Sequence, residues 1–177
     1  MKKIVILGNG VAGASLALKL RELAFSGEIV IISEESPFFF SRPSLMYIYM
    51  GHMQEKHTQP IEPQKWDEFH IDRIQTRILE VNTHKNQLIT QEKTSIDYDQ
   101  LILATGSIPN KFGWPGQNLD AVQGLYHLQD LYSMEKWTPS TKRAVIVGGG
   151  LIGIEMAEMF LSRGILVSML VRESTFW

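Results

Sequence analysis

Three glycines break the opening apolar run of this 177-residue chain: Gly8, Gly10 and Gly13, in GNGVAG. They bring no reacting group. Their G-x-G-x-x-G spacing offers bare backbone between a strand and a helix, where N–H groups can surround an anion and the helix dipole favours negative charge. Lys2 to Leu7 precede them as a buried parallel strand, and Val11 to Leu23 follow as a helix rich in Ala and Leu. In such a turn the first glycine permits the bend, the second lets a diphosphate approach, and the third lets the helix sit close to its strand. The phosphates would rest at Gly10, Val11, Ala12 and Gly13. A second strand, Glu28 to Ser33, ends at Glu34, about twenty residues beyond Gly13. Its carboxylate would accept hydrogen bonds from the two hydroxyls of an adenosine ribose. Such glycines also form plain tight turns; the joint fit of strand, turn, helix and acid favours a dinucleotide site.

The pattern occurs twice. From Arg143 the chain reads RAVIVGGGLIGIEMAEMFLSRGILVSMLVRES, with a strand at Ala144 to Val147 and glycines at 148, 150 and 153. A helix then runs to Arg163, opening on Leu151 and Ile152, and a strand spans Ile165 to Val171. Gly148 lies 140 residues beyond Gly8, the length of a domain. Two such units imply two dinucleotides. One βαβ unit is less than a doubly wound domain needs, so the sequence is expected to be the N-terminal part of a longer protein.

Two further groups could do chemistry. Arg42 sits in SPFFFSRPSLMYIYMGHM among Phe38, Phe39, Phe40, Tyr47 and Tyr49, most of which read as a hydrophobic lid on the core. A guanidinium there needs an anionic or stacking partner, and a dinucleotide phosphate is preferred over a structural carboxylate. His52 and His57 lack both helical spacing and an acid cluster, so no metal site is expected.

The elements between these groups follow from local pattern. Pro37 and Pro43 exclude regular helix until Ser44 to Met50, which reads as a short one. Gln64 to Phe69 reads as a helical turn or two, with Trp66 and Phe69 facing inward. Ile71 to Ile74 begins a run of short β pieces. Arg77 to Asn82, Gln87 to Thr90 and Ser95 to Tyr98 continue it as an antiparallel meander. Asp99 to Ala104 reads as another buried strand, ending at Thr105 and Gly106, and Asp130 to Trp137 as helix. The fold class is α/β: a Rossmann-like domain with a parallel sheet and an antiparallel β-meander, then the start of a second Rossmann-like domain.

Composition narrows the function. Apolar residues make 44% and charged residues 20% of the chain, ordinary for a globular protein. A net charge of −2 without a basic run gives no sign of nucleic acid. No stretch is long and apolar enough to span a bilayer, and no secretory signal is recognisable, so a cytoplasmic location is expected. The absence of cysteine excludes disulfides, cysteine-ligated metals and thiol chemistry by this chain.

Taken together, GNGVAG with Glu34, ISEESPFFFSRPSL, YDQLILATGSIPN and GGGLIGIE resemble the FAD-dependent pyridine nucleotide-disulfide oxidoreductases. The resemblance implies an FAD-binding domain over 1–108 and an NAD(P)H-binding domain beginning over 109–177. It places Ala104, Thr105 and Gly106 over the FAD, the main chain of Ile78 against adenine, and Glu155 near the meeting point of nicotinamide and flavin. SRPSL is similar to the SRP-x-L of rubredoxin, ferredoxin and nitrite reductases, which brings Pro43 and Tyr47 into the flavin site. Many of those proteins carry a lysine where this chain has Tyr47. After the last strand, NADH-using relatives carry an acid for the ribose 2′-hydroxyl. Here Val171 and Arg172 stand instead, the pattern that accommodates the 2′-phosphate of NADPH, although beside Glu173 the arginine also reads as a solvated charge.

The expected activity is hydride transfer from NADH or NADPH to FAD and electron delivery to a small electron-carrier protein, a quinone or oxygen. These 177 residues alone are expected to be inactive. The alternative is a flavin-binding regulatory protein like apoptosis-inducing factor, oxidising NAD(P)H slowly. The oligomeric state is left open.

Overall fold

In the computed structural model, which describes residues 1–172 and 174–176, the chain forms two compact units. The first comprises Met1–Ser41 and Gln59–Ser107, the second Arg42–Thr58 and Ile108–Trp177. The segment holding Arg42, Pro43 and Tyr47 therefore packs with the C-terminal half of the chain.

The first unit is built on β1 (Lys3–Leu7), which pairs in parallel with β2 (Glu28–Ser33) on one side and β7 (Gln100–Leu103) on the other. β3 (Ile71–Gln75) completes the sheet, in the order β3-β2-β1-β7. Successive side chains of a strand point to opposite faces, and both faces of β1 are covered. Ile4 and Ile6 pack with Ala14 and Ala17 of α1 (Val11–Glu22), and with Trp66 of α3 (Pro63–Glu68). Val5 and Leu7 pack with Leu88, Ile78 and Ile96 of a three-stranded antiparallel sheet: β4 (Ile78–Asn82), β5 (Gln87–Thr90) and β6 (Ser95–Asp97). That two-sided burial is why the opening strand reads as an unbroken apolar run rather than an alternating one.

Four expectations need correction. Ile71–Gln75 does not belong with the meander: it runs parallel to β2, Ile29 opposite Ile71, at the edge of the first sheet. The sequence cannot reveal this, because a short strand carries no mark of its partner. Phe69, expected inward, is 39% exposed, since the helix ends before it. Asp99 to Ala104 is only partly buried: β7 is an edge strand, and Leu103 is 67% exposed. In β4 the register shifts between Ile78 and Glu80, which leaves Leu79 exposed against the alternation the sequence shows.

Arg21, at the end of α1, holds the lower end of this sheet together. Its guanidinium donates to the carbonyls of Phe25 and Gly27 before β2, and of Phe69 and His70 before β3, at 2.5 to 2.8 Å. One side chain thus aligns the entries of two neighbouring strands. At the other end the Thr76 hydroxyl donates to Glu92 Oε2 at 2.6 Å, joining the exit of β3 to the β5–β6 turn.

This bond, with others from Gln91 and the main chain, lowers the Glu92 carboxyl from 4.5 to about 2. A carboxyl lowered by folding contributes stability that is full above its unfolded value and is lost as pH falls through its folded one. The Thr76→Val variant is expected to lose the largest part of this contribution: its unfolding midpoint should fall less than that of the parent between pH 4.5 and about 2. Urea melts across that range check it, and equal slopes for both proteins would exclude the linkage.

In the second unit, α2 (Leu45–Tyr49) packs against α4 (Leu128–Trp137) and α5 (Leu151–Ser162). β8 (Arg143–Val147) and β9 (Leu166–Leu170) pair in parallel around α5 as a βαβ unit. Tyr49 is the centre of this packing: fully buried, its hydroxyl lies 2.6 Å from Thr138 Oγ1, and Phe160 meets its ring edge-on. Arg163 stacks over that ring at 4.8 Å and donates to the Tyr49 carbonyl at 2.6 Å. Tyr132 donates to Glu55 at 2.7 Å; burial and this carboxylate raise its phenol to about 12.

Candidate dinucleotide sites

Each glycine of the first turn meets a different physical demand. Gly8 has a φ of +109°, and a Cβ there would stand 2.1 Å from the carbonyl oxygen of Ala104. Gly13 lies so close to the strand that a Cβ would fall 1.9 Å from Gly8 O. Around Gly10, apart from its own chain neighbours, no described atom stands within 4 Å of where a Cβ would sit. The turn is thus closed against its own chain at Gly8 and Gly13 and open at Gly10. Gly10 caps α1 without a side-chain hydrogen bond, and the first turn of α1 carries no acidic residue. The free N–H groups and positive dipole end suit an anion, and Gly10 leaves room for one. The residues present fit a dinucleotide diphosphate.

The neighbouring strands bring other candidates to the same edge. Gly8 N donates to Ile32 O at 2.8 Å and Ala104 N to Leu7 O at 2.8 Å, so Ala104, Thr105 and Gly106 leave the sheet beside the turn. Glu34 follows β2 directly and is exposed, with Arg77 at 3.6 Å from its carboxylate. An exposed pair of this kind contributes little stability, so the carboxylate remains available to ribose hydroxyls. Ile78, next to Arg77, opens β4. These groups line the carboxyl ends of parallel strands, where ligands of open α/β sheets bind.

Asn9 was not singled out by its position in the sequence. Its side-chain amide donates to the carbonyls of Ser36 at 2.6 Å and Phe38 at 3.0 Å. A polar side chain inside an otherwise apolar glycine turn was the available signal.

The second turn repeats the first at its middle and third glycines, but no described atom beyond the chain neighbours lies within 4 Å of where a Cβ on Gly148 would sit, whereas Gly8 is closed by Ala104. Gly148 has a φ of +117°, Gly150 caps α5 with open space around it, and a Cβ on Gly153 would fall 2.7 Å from Gly148 O. Gly148 N donates to Leu170 O at 2.9 Å, the counterpart of the Gly8 bond. Leu151 and Ile152 are exposed on the first turn of α5, and Glu155 is half-buried one turn on. At the end of β9, Val171 lies against the turn: a Cβ on Gly149 would meet its Cγ1 at 2.7 Å. Arg172 follows, exposed, and Glu173 lies outside the described residues.

Arg42, Pro43 and Tyr47 belong to this second unit. The Arg42 guanidinium donates to the Tyr126 carbonyl and lies 4.3 Å from the centre of the Tyr126 ring. One of the two kinds of partner the sequence asks for, a stacking ring, is therefore supplied by the chain. Pro43 and Tyr47 are exposed. Among the described residues no cluster of His, Asp or Glu could hold a metal ion, and no helix is long and apolar enough to cross a membrane.

The sequence profile of the pyridine nucleotide-disulphide oxidoreductases matches residues 2–177. The chain belongs to this family. Within it, the chain is 32% identical to the ferredoxin–NAD(+) reductase subunit of a benzene 1,2-dioxygenase system from Pseudomonas putida, over 94% of this chain and 41% of that protein. It is 33% identical to the ferredoxin reductase component of a chlorobenzene dioxygenase from a Cupriavidus species, with the same coverage. Among solved structures, the NADH:rubredoxin oxidoreductase of Clostridium acetobutylicum superposes with a TM-score of 0.82 at 27% identity, over 96% of this chain and 44% of that one. The chain thus spans about two fifths of the length of these relatives.

Proposed function

We propose that this chain is the dinucleotide-binding part of a flavoprotein oxidoreductase that takes a hydride from NADH or NADPH and passes electrons to a small electron-carrier protein. The observation that carries the reading is the pair of glycine turns with matching geometry, each open at its middle glycine and each feeding an uncapped helix N-terminus. The relatives named as ferredoxin and rubredoxin reductases support the acceptor class.

In this reading residues 1–108 serve FAD and 109–177 begin the NAD(P)H domain. Bound flavin would supply the hydride-accepting ring and the onward electrons. The chain's own work is binding and orientation. N–H groups from Gly10 to Gly13 hold the flavin diphosphate, and Glu34 accepts from the adenosine ribose. Ala104, Thr105 and Gly106 cover the cofactor, and the Ile78 main chain meets the adenine. At the second turn, Gly148 to Gly153 hold the nicotinamide dinucleotide, Glu155 lies toward its reactive end, and Arg172 takes a 2′-phosphate.

The protein, expressed from the reading frame that carries this chain, should purify yellow, and its flavin bands should bleach anaerobically on addition of NADPH or NADH. Protein that stays colourless after incubation with FAD would refute the reading. An added ferredoxin or rubredoxin should raise the rate of NAD(P)H oxidation.

A further inference from the structure

We infer that Asn9 is a positioning residue that sets the distance between the diphosphate turn and the ribose-binding carboxylate of Glu34; this rests on the flavin reading above.

The ladder joining β1 to β2 ends with Gly8 N on Ile32 O. Beyond that point the chain carries Glu34 and then turns away. Glu34 is followed closely by two carbonyls, those of Ser36 and Phe38, and both accept from the single side-chain amide of Asn9, at 2.6 and 3.0 Å. The amide has two N–H bonds, and these two carbonyls take up its nitrogen. Ser36 makes the receiving loop rigid: it is 1% exposed, and its Oγ donates to Phe38 O and accepts from Phe38 N, both at 3.1 Å. Glu34 is thereby bracketed, on one side by the main chain of Gly8 and on the other by the side chain of Asn9. Both brackets come from the turn expected to hold the diphosphate. A dinucleotide fixes the separation between its phosphates and its ribose hydroxyls, so a site that fixes the corresponding protein groups pays less to order them on binding. The remaining contacts of Glu34 do not supply this. Arg77 is an exposed partner at 3.6 Å, and Gln75 reaches the Glu34 carbonyl at only 3.4 Å.

Three smaller or isosteric side chains serve less well at this position. Alanine removes both bonds, aspartate turns two donors into acceptors facing two carbonyls, and serine retains one donor.

The test is a double-mutant cycle read as FAD affinity, by quenching of flavin fluorescence on the apoprotein. Asn9→Ala is expected to weaken FAD binding about tenfold, the loss of roughly one well-made hydrogen-bonded contact. In a Glu34→Ala background the same substitution should change affinity less than about twofold, because there is no carboxylate left to position. An equal loss in both backgrounds, or no loss in either, overturns the inference. A loop staple without a role in the site would give the equal loss, or a change in melting temperature with affinity unchanged. If Asn9→Ala fails to melt cooperatively, Asn9→Ser takes its place in the cycle and should show a smaller loss that again vanishes with Glu34→Ala. The parent protein is the control for the flavin reading itself: failure of the parent to bind FAD overturns that reading and with it this one, whereas a parent that binds with an additive cycle overturns only the role of Asn9.

Discussion

Gly10→Ala should give an apoprotein that folds and melts like the parent apoprotein but binds flavin at least about tenfold more weakly, whereas Gly13→Ala should lose both fold and flavin. The contrast comes from what each new methyl group would meet. At Gly13 the Cβ would stand 1.9 Å from Gly8 O and 3.2 Å from Ile6 Cγ2, in contact with the main chain of the turn and the central strand. Neither can yield without moving α1 off the sheet. Overpacking of this kind costs about 1–3 kcal/mol and occasionally more, a large share of a domain's stability. At Gly10 the added methyl meets, apart from its own chain neighbours, no described atom within 4 Å, and the backbone there has an ordinary φ of −69°. The fold should tolerate it. The open space is where a diphosphate would approach, and pushing it off two charge-assisted N–H contacts would lower affinity by at least about tenfold. The ratio of bound flavin to protein, read from absorbance, and thermal melts of the apoproteins decide the matter. A Gly10→Ala protein that retains its full complement of flavin would mean that the diphosphate lies elsewhere.

The second large effect concerns the nicotinamide. The parent is expected to prefer NADPH, and the Val171→Asp, Arg172→Ser double variant to prefer NADH. In the proposed reading Val171 stands where NADH-using relatives would carry an acid for the ribose 2′-hydroxyl; it lies against Gly149 within the turn. An aspartate there would face the bound ribose, accept from its hydroxyls and repel a 2′-phosphate. Removing the Arg172 guanidinium deletes a charge-assisted contact to that phosphate. Each change is worth about 1.5–3 kcal/mol, so the NADPH-to-NADH ratio of kcat/KM should fall by about a hundredfold or more. Stopped-flow bleaching of the flavin with each nucleotide measures it directly. A parent that already favours NADH tenfold would remove the role assigned to Arg172, and the double variant would then have no preference to reverse.

The glycine turns were legible from sequence because everything that defines them is local. The strand, the turn, the capping glycine and the helix lie within about twenty residues, and inside that span the first glycine of each turn is required by its positive φ and the third by its approach to the first one's carbonyl. The same holds for β2, found at Glu28–Ser33 as expected, and for the three meander strands, whose turns are set by neighbouring residues. Pairing partners are a different matter. Nothing in IDRIQ distinguishes a parallel edge strand from a member of the meander, and the choice is made by Arg21 and by the packing of Ile71 with Trp66 beneath α1. Arg42 is similar: an arginine among aromatics calls for a partner, but only the folded chain brings Tyr126 to it from 84 residues away.

By itself the sequence determined that there are two dinucleotide-type turns, which residues form them, and that the chain has no thiol chemistry. Those properties depend on short-range backbone sterics and on residue type, and they survive any arrangement of the rest. The tertiary structure decided which distant groups the turns are tied to: Ala104 closing over Gly8, Val171 lying against Gly149, and the Ser36 and Phe38 carbonyls held by Asn9. Those contacts join residues far apart in the chain, so they are set by the parallel register of the sheets and the packing of their helices, long-range properties that no window of sequence contains.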